Sequence, residues 1–180
     1  GPPEVLRVRE VPMPVLAPDG VMVRVVNAGV QPADAAIRSG WTPPGATLTL
    51  PQVLGNEFSG VVVDTGSQVD DLETGQAVLG FNVMGCQAQY VAVPRSQIAR
   101  APDGIAWEQA GALSASGQTA LTAFEELGVT AGEVILVHGA AGGVGTMFTQ
   151  LAVRAGATVV GTASAANQEH LRTLGATAVT

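Results

Sequence analysis

The sequence predicts an α/β protein in two parts, a small β-barrel followed by the first half of a doubly wound parallel sheet. Three observations carry that prediction. Residues 1 to about 103 hold many short apolar runs separated by Pro/Gly/Asp breaks, as closely spaced strands do. From Trp107 onward the apolar residues recur at helical spacing. Val134 to Gly156, VILVHGAAGGVGTMFTQLAVRAG, reads as a buried parallel strand, a glycine turn and the start of a helix.

In chain order, Val5 to Val11 and Gly20 to Ala28 read as strands, parted by the break at Pro18-Asp19-Gly20. Pro32 to Arg38 is a short helix with proline in its first turn, Asp34 and Arg38 spaced to pair, and Gly40 as its stop. Trp41 to Gly45 is a Pro/Gly loop. Further strands are expected at Gly60 to Asp64, Gln76 to Phe81 and Gln89 to Val93. Helices follow at Trp107 to Ser114 and Gln118 to Leu127, with a domain boundary near Pro102-Asp103-Gly104, so that residues 1–103 and 104–180 form separate domains. After the Val134 strand and its helix come a strand at Thr158 to Gly161, a helix at Ala165 to Leu174 stopped by Gly175, and a strand from Ala176. This β-α-β-α-β run is one mononucleotide-binding half. Alone it leaves Val134 to Val137 as an open apolar edge, so a longer natural chain or a covering partner chain is expected.

Composition narrows the function. The chain has 180 residues and a net charge of −7, with few charged residues and abundant aliphatics. It is folded rather than disordered. An acidic chain without a Lys/Arg cluster argues against nucleic acid and anionic membranes. Cys86 is the single cysteine, which excludes an internal disulfide and a multi-cysteine zinc site and suits a reducing interior, hence the cytoplasm. No run reaches transmembrane length and no signal peptide is visible.

Glycines in the turn let the backbone approach a bulky anion, and the first helical N–H groups point at it. The turn Gly139-Ala140-Ala141-Gly142-Gly143-Val144-Gly145 carries Ala140 where the first glycine of G-x-G-x-x-G usually stands. Ala140, Ala141, Gly142, Gly143, Val144 and Gly145 therefore read as a pyrophosphate cradle for a dinucleotide; the alternative is a tight strand-to-helix turn without a ligand. An NAD site wants a carboxylate about 20 residues further on. That position falls on Gly161-Thr162-Ala163-Ser164, which holds no acid. NADP(H) is thus the expected cofactor, with Thr162, Ser164 and Asn167 as donors to its 2′-phosphate; Ser164 also suits a helix cap.

Taken together, the motifs Gly29-Val30-Gln31-Pro32-Ala33-Asp34, Val53-Leu54-Gly55-Asn56-Glu57-Phe58-Ser59-Gly60, Gly117-Gln118-Thr119-Ala120 and Val137 to Gly145 resemble the zinc-free quinone oxidoreductases of the medium-chain dehydrogenase/reductase superfamily, the zeta-crystallin and enoyl-reductase branch. The resemblance covers nearly the whole chain. It implies a GroES-like β-barrel domain, then a partial Rossmann sheet, with an active site in a cleft between the two. Family members are longer at both ends, so the chain reads as a fragment. The implied reaction is hydride transfer from NADPH to a quinone or an α,β-unsaturated carbonyl. Alternatives are a non-catalytic NADP(H)-binding or structural protein on the same fold, and a half-protein that needs a partner chain. A homodimer is common in the branch, through Rossmann strands that follow those seen here.

By the same resemblance Gln31 stands where an asparagine often faces the nicotinamide, and Thr119 where a threonine contacts the cofactor. Trp41, Asn56 and Phe81 line the substrate pocket. Ala36 replaces a tyrosine of some members, so no protein acid is visible and water is the expected proton source. Tyr90 lies in a strand motif that reads as structural. Zinc-dependent relatives have Gly-His-Glu where this chain has Gly55-Asn56-Glu57, and His138 and His170 are scattered, so no metal is expected. Cys86 reads as a small buried residue rather than a nucleophile.

Overall fold

The computed structural model describes residues 1–180. They form two compact units, Gly1–Ser114 and Ala115–Thr180. No helix is long and apolar enough to cross a membrane.

The expected barrel strands of the first unit form a five-stranded sheet in the order β4-β1-β2-β3-β5. These are β1 (Gly20–Ala28), β2 (Glu57–Thr65), β3 (Ala77–Phe81), β4 (Tyr90–Pro94) and β5 (Ile98–Arg100), and all their pairings are antiparallel. Burial alternates along β3 and β4, so one face of each enters the core. That core is Val21, Val23, Phe58, Val62, Val78, Val91 and Val93. Each such side chain removed from water stabilises the unit by about 1.5–3 kcal/mol. The register places Val23 opposite Val62 and Glu57 opposite Phe81. Helix α1 (Pro32–Arg38) matches its expected bounds. Helix α2 (Trp107–Gly111) lies on β1 and β2. A Cβ on Gly111 would come within 2.9 Å of Asn27, and the Ser59 hydroxyl donates to the Trp107 carbonyl at 2.8 Å.

Two expectations fail here, and one strand appears that none foresaw. Val5 to Val11 is not a strand. A 3-10 turn spans Pro3–Val5, and residues 6–17 carry no regular structure, with Val8 and Val15 exposed. Apolar alternation makes a strand only where a neighbour offers hydrogen-bond partners, and here Pro12, Pro14 and Pro18 remove donors as well. Asp34 and Arg38 do not pair. Asp34 is turned inward and Arg38 donates to the Gly1 carbonyl at 3.1 Å. The short β5, paired to β3 through Val78 and Arg100, was unanticipated, because three residues show no period.

In the second unit β6 (Val134–Val137), β7 (Thr158–Thr162) and β8 (Thr177–Val179) form a parallel sheet in that order. Helix α3 (Ser114–Leu127) starts earlier than expected. Helix α4 (Gly143–Arg154) crosses from β6 to β7, and α5 (Gln168–Thr173), entered through a 3-10 turn at Ala165–Asn167, crosses to β8. Phe148 and Ala152 of α4 pack with Ala120, Ala140, Val159 and Leu171. Phe148 meets Phe124 edge to face, with ring centroids 6.3 Å apart. As expected, β6 is an edge strand with Val134 and Leu136 exposed.

Candidate functional site

The glycine turn between β6 and α4 is built by backbone. Gly139 adopts φ +65°, which a side chain would strain. The Gly142 N–H donates to the Gly139 carbonyl at 2.9 Å, closing the turn. Ala140 is fully buried, and its N–H donates to the Thr162 carbonyl at 3.0 Å. It also sits against Gly161, where a Cβ would come within 2.9 Å of the Ala140 methyl. Alanine therefore fits the first motif position because a glycine faces it across the sheet. Gly145 must be glycine, since a Cβ there would strike the Gly139 carbonyl and lie 2.7 Å from Ala140 Cα.

Gly142 caps α4 with an extended backbone (φ −75°, ψ 170°) and no side-chain cap. The N–H groups of the first turn of α4 thus have no intrahelical acceptor. An apolar groove of about 500 Å³ adjoins that turn, lined among others by Gly139, Gly142, Gly143, Val144, Gly145 and Phe148. A Cβ on Gly142 would meet only the Gly139 carbonyl, at 3.3 Å. Gly143 is tighter, as its Cβ would come within 2.7 Å of the Ser116 hydroxyl on α3. Sequence reading missed Ser116 because nothing in the motif points to a residue so far upstream.

Beside the turn, Thr162 accepts from the Gly139 N–H at 3.2 Å, and its Oγ1 lies 3.3 Å from His138 Nδ1. His170 Nε2 lies 3.2 Å from Thr146 Oγ1 in the first turns of α4. Both histidines thus flank the turn, although sequence spacing left them scattered. Ser164 holds the cap position of the 3-10 turn, but its hydroxyl makes no capping bond. It accepts instead from the Asn167 amide at 3.2 Å, which corrects the expected cap. Arg172 is paired with Glu169 at 3.1 Å on the surface. No acid stands at the end of β7. Thr119 sits on α3 with its hydroxyl donating to the Ala115 carbonyl at 2.8 Å.

The first unit gathers a different set. Asp34 is buried and accepts twice, from the Gln31 N–H at 2.8 Å and from the Gly55 N–H at 2.9 Å. It ties the start of α1 to the loop before β2. Glu57, fully buried at the start of β2, accepts from the Gln31 side-chain amide. Asn56 is adjacent, its carbonyl accepts from the Asn82 N–H at 3.0 Å, and its side-chain oxygen is buried without a partner. Phe81 pairs with Glu57 across the ladder. Gln31, Asn56 and Phe81 therefore share one corner, whereas Trp41 lies exposed beyond α1. Cys86 is fully buried nearby, and burial, with Asp34 and Glu57 adding to it, pushes its thiol up to about 12. It is not an activated nucleophile. Tyr90 sits in β4, opposite Arg24. Glu57 is the residue sequence reading left without a role, and Asp34 the one it gave to Arg38. The available signal was two acids in an apolar setting, each near a glycine.

Comparison with known proteins agrees with this architecture. Residues 17–103 match the alcohol dehydrogenase GroES-like domain. A probable quinone oxidoreductase of Schizosaccharomyces pombe is 35% identical over 95% of this chain and 51% of its own length. An Arabidopsis thaliana NADPH-dependent alkenal/one oxidoreductase, chloroplastic, is 36% identical over 91% of this chain and 45% of its own. The solved structure of an Escherichia coli quinone oxidoreductase complexed with NADPH superposes with a TM-score of 0.87 at 30% identity, covering 100% of this chain and 56% of that one. The chain spans about half the length of the curated relatives it matches. The GroES-like sheet followed by a Rossmann-type parallel sheet is the architecture of these solved neighbours, and the chain's homologues include quinone oxidoreductases and alkenal/one reductases.

Proposed function

We propose that this chain binds NADP(H) and serves an oxidoreductase that passes hydride to a quinone or an α,β-unsaturated carbonyl, without zinc. The carrying observation is the cradle at Gly142 to Gly145. A Cβ on Gly142 would meet one protein atom, the Gly139 carbonyl at 3.3 Å, and α4 begins there with no side-chain cap on its first N–H groups. A pyrophosphate fits such a place, with negative charge at the positive end of a 12-residue helix. Ala140 and Ala141 complete the turn. The end of β7 presents the hydroxyls of Thr162 and Ser164 and the Asn167 amide, and no carboxylate that would repel a 2′-phosphate.

The bound nicotinamide supplies the hydride. Around it, the role proposed for Gln31 and Thr119 is to orient the ring, and Asn56, Phe81 and Trp41 belong to the acceptor pocket. With no side-chain acid in that set, the proton that completes the reduction comes from water. A quinone suits this, because both of its reduced oxygens can take protons from solvent. In this reading the reaction does not use zinc, in keeping with a chain in which no three His, Cys, Asp or Glu side chains come together.

The test is NADPH oxidation followed by absorbance, with 1,4-naphthoquinone and an alkenal as acceptors, and NADH in parallel. The reading expects NADPH to be consumed with at least one acceptor and to outperform NADH. Consumption that favours NADH would overturn the cofactor assignment. Binding of NADPH without turnover of any acceptor would leave a non-catalytic NADP(H)-binding protein.

A further inference from the structure

Gln31 is held at both its backbone and its side chain, by two different buried acids. Asp34 accepts from its main-chain N–H at 2.8 Å. Glu57 accepts from its side-chain Nε2, and Glu57 is 0% exposed. The path of the Glu57 side chain is itself defined by a glycine. It lies across the backbone of Gly29, where any Cβ would overlap its Oε1 and come within 2.6 Å of its Cγ. The Gly29 N–H also donates to the Glu57 carbonyl at 3.3 Å, and Gln87 donates to the Gly29 carbonyl at 3.5 Å. Glu57 therefore has little freedom, and neither has the amide it holds.

We infer that Glu57 is a positioning residue for Gln31, fixing the side-chain amide with its nitrogen toward Glu57 and its oxygen turned away from it. This rests on the role proposed above for Gln31. A carboxylate accepts and does not donate, so it selects the nitrogen end of the amide. The opposite end, Oε1, is an acceptor with two lone pairs, one of them directed to the Asp34 N–H in the capping box that opens α1. Gln31 held this way suits a donor such as the carboxamide N–H₂ of the nicotinamide, and does not suit stabilising negative charge on the oxygen of the acceptor. Glu57 thus decides which half of the reaction Gln31 serves: orientation of the ring that gives the hydride, where small misplacements are expensive.

The test uses Glu57→Met, Gln31→Met and the double variant, each close to isosteric and without the acceptor or the amide, with kcat and the KM for NADPH measured against naphthoquinone. Each single variant should lower kcat about ten-fold. The KM for NADPH should change less than two-fold, because the cradle is untouched. The double variant should be no worse than either single one. Losses that multiply to about a hundred-fold would overturn the inference, and so would a Glu57→Met enzyme with wild-type kcat.

A second readout needs neither turnover nor a folded Glu57 variant. In a ¹H–¹⁵N spectrum of the wild-type chain, the side-chain amide that disappears in Gln31→Met should exchange slowly and carry one downfield proton. An ordinary, fast-exchanging Gln31 amide would overturn the inference. A wild-type chain that oxidises no NADPH would instead sink the reductase reading, and the spectrum would still decide the contact.

Discussion

The corner around Gln31 and the turn around Gly142 solve the same problem in opposite ways. Each holds polar groups in a fixed geometry. The corner does it by adding side chains: Asp34 and Glu57 are buried carboxylates that hold α1 and Gln31 through hydrogen bonds. The turn does it by leaving side chains out: Gly139, Gly142 and Gly145 let backbone pack on backbone, so that α4 presents bare N–H groups. The corner should therefore fail when an atom is taken away, and the turn when an atom is put in.

The largest expected effect is at Gly145. In Gly145→Val the new side chain meets the Gly139 carbonyl and Ala140 Cα, so the turn must open. NADPH affinity by fluorescence titration should fall by at least about 100-fold, and retained affinity would refute the close approach. Next is Asp34→Ala, which leaves the Gln31 and Gly55 N–H groups without their acceptor. Unfolding in urea should show a loss of about 2–4 kcal/mol. A loss below about 1 kcal/mol would mean that water replaces the carboxylate, making the corner less dependent on side chains than described.

Gly142→Ala sharpens the comparison because its backbone is already extended and its Cβ would press on a single protein atom, the Gly139 carbonyl at 3.3 Å. The melting temperature should fall far less than in Gly145→Val, while the Kd for NADPH rises about ten-fold, or ~1.4 kcal/mol, since most of the methyl faces the ligand. Cys86 tests how closed the corner is. Burial holds its thiol at about 12, against 9.0 for a free thiol. The folded chain keeps this proton while the unfolded chain ionises, so the stability that depends on it is whole below pH 9 and is lost as the pH rises toward 12. At pH 8 a thiol reagent should label Cys86 only as fast as the unit opens; immediate labelling would contradict its burial. The smallest effect belongs to the surface pair Arg95–Asp71, with a 2.8 Å contact from Arg95 Nε. Arg95 holds the Asp71 carboxyl below its usual range. Both partners are partly solvated, and Asp71→Asn should shift the melting temperature by less than about 2 °C.

The two regions also differ in how far they could be read beforehand. The turn was legible because its rule is local. A β-branched run, a glycine cluster and a helical period follow one another in sequence, and β6, α4 and β7 appeared where that order put them. The substitution of Ala140 for glycine made sense only with Gly161 beside it, a contact the linear order does not show. The corner was legible only as a set of motifs. Gln31 and Glu57 are 26 positions apart, and no period or spacing indicates that one amide would reach the other's carboxylate. Asp34 was misassigned to Arg38 for the same reason: the helical rule sees a neighbour one turn away and cannot see Gly55. The strand expected at Val5 to Val11 failed because alternation records a preference, while a strand also needs a partner.

The most direct measurement is a fluorescence titration of the chain with NADPH and NADH, in wild type and Gly142→Ala. The account predicts tighter binding of NADPH than NADH by the wild type, and weaker binding of both by a folded Gly142→Ala protein. Binding that ignores the added methyl, or a preference for NADH, would contradict the glycine turn as an NADP(H) cradle.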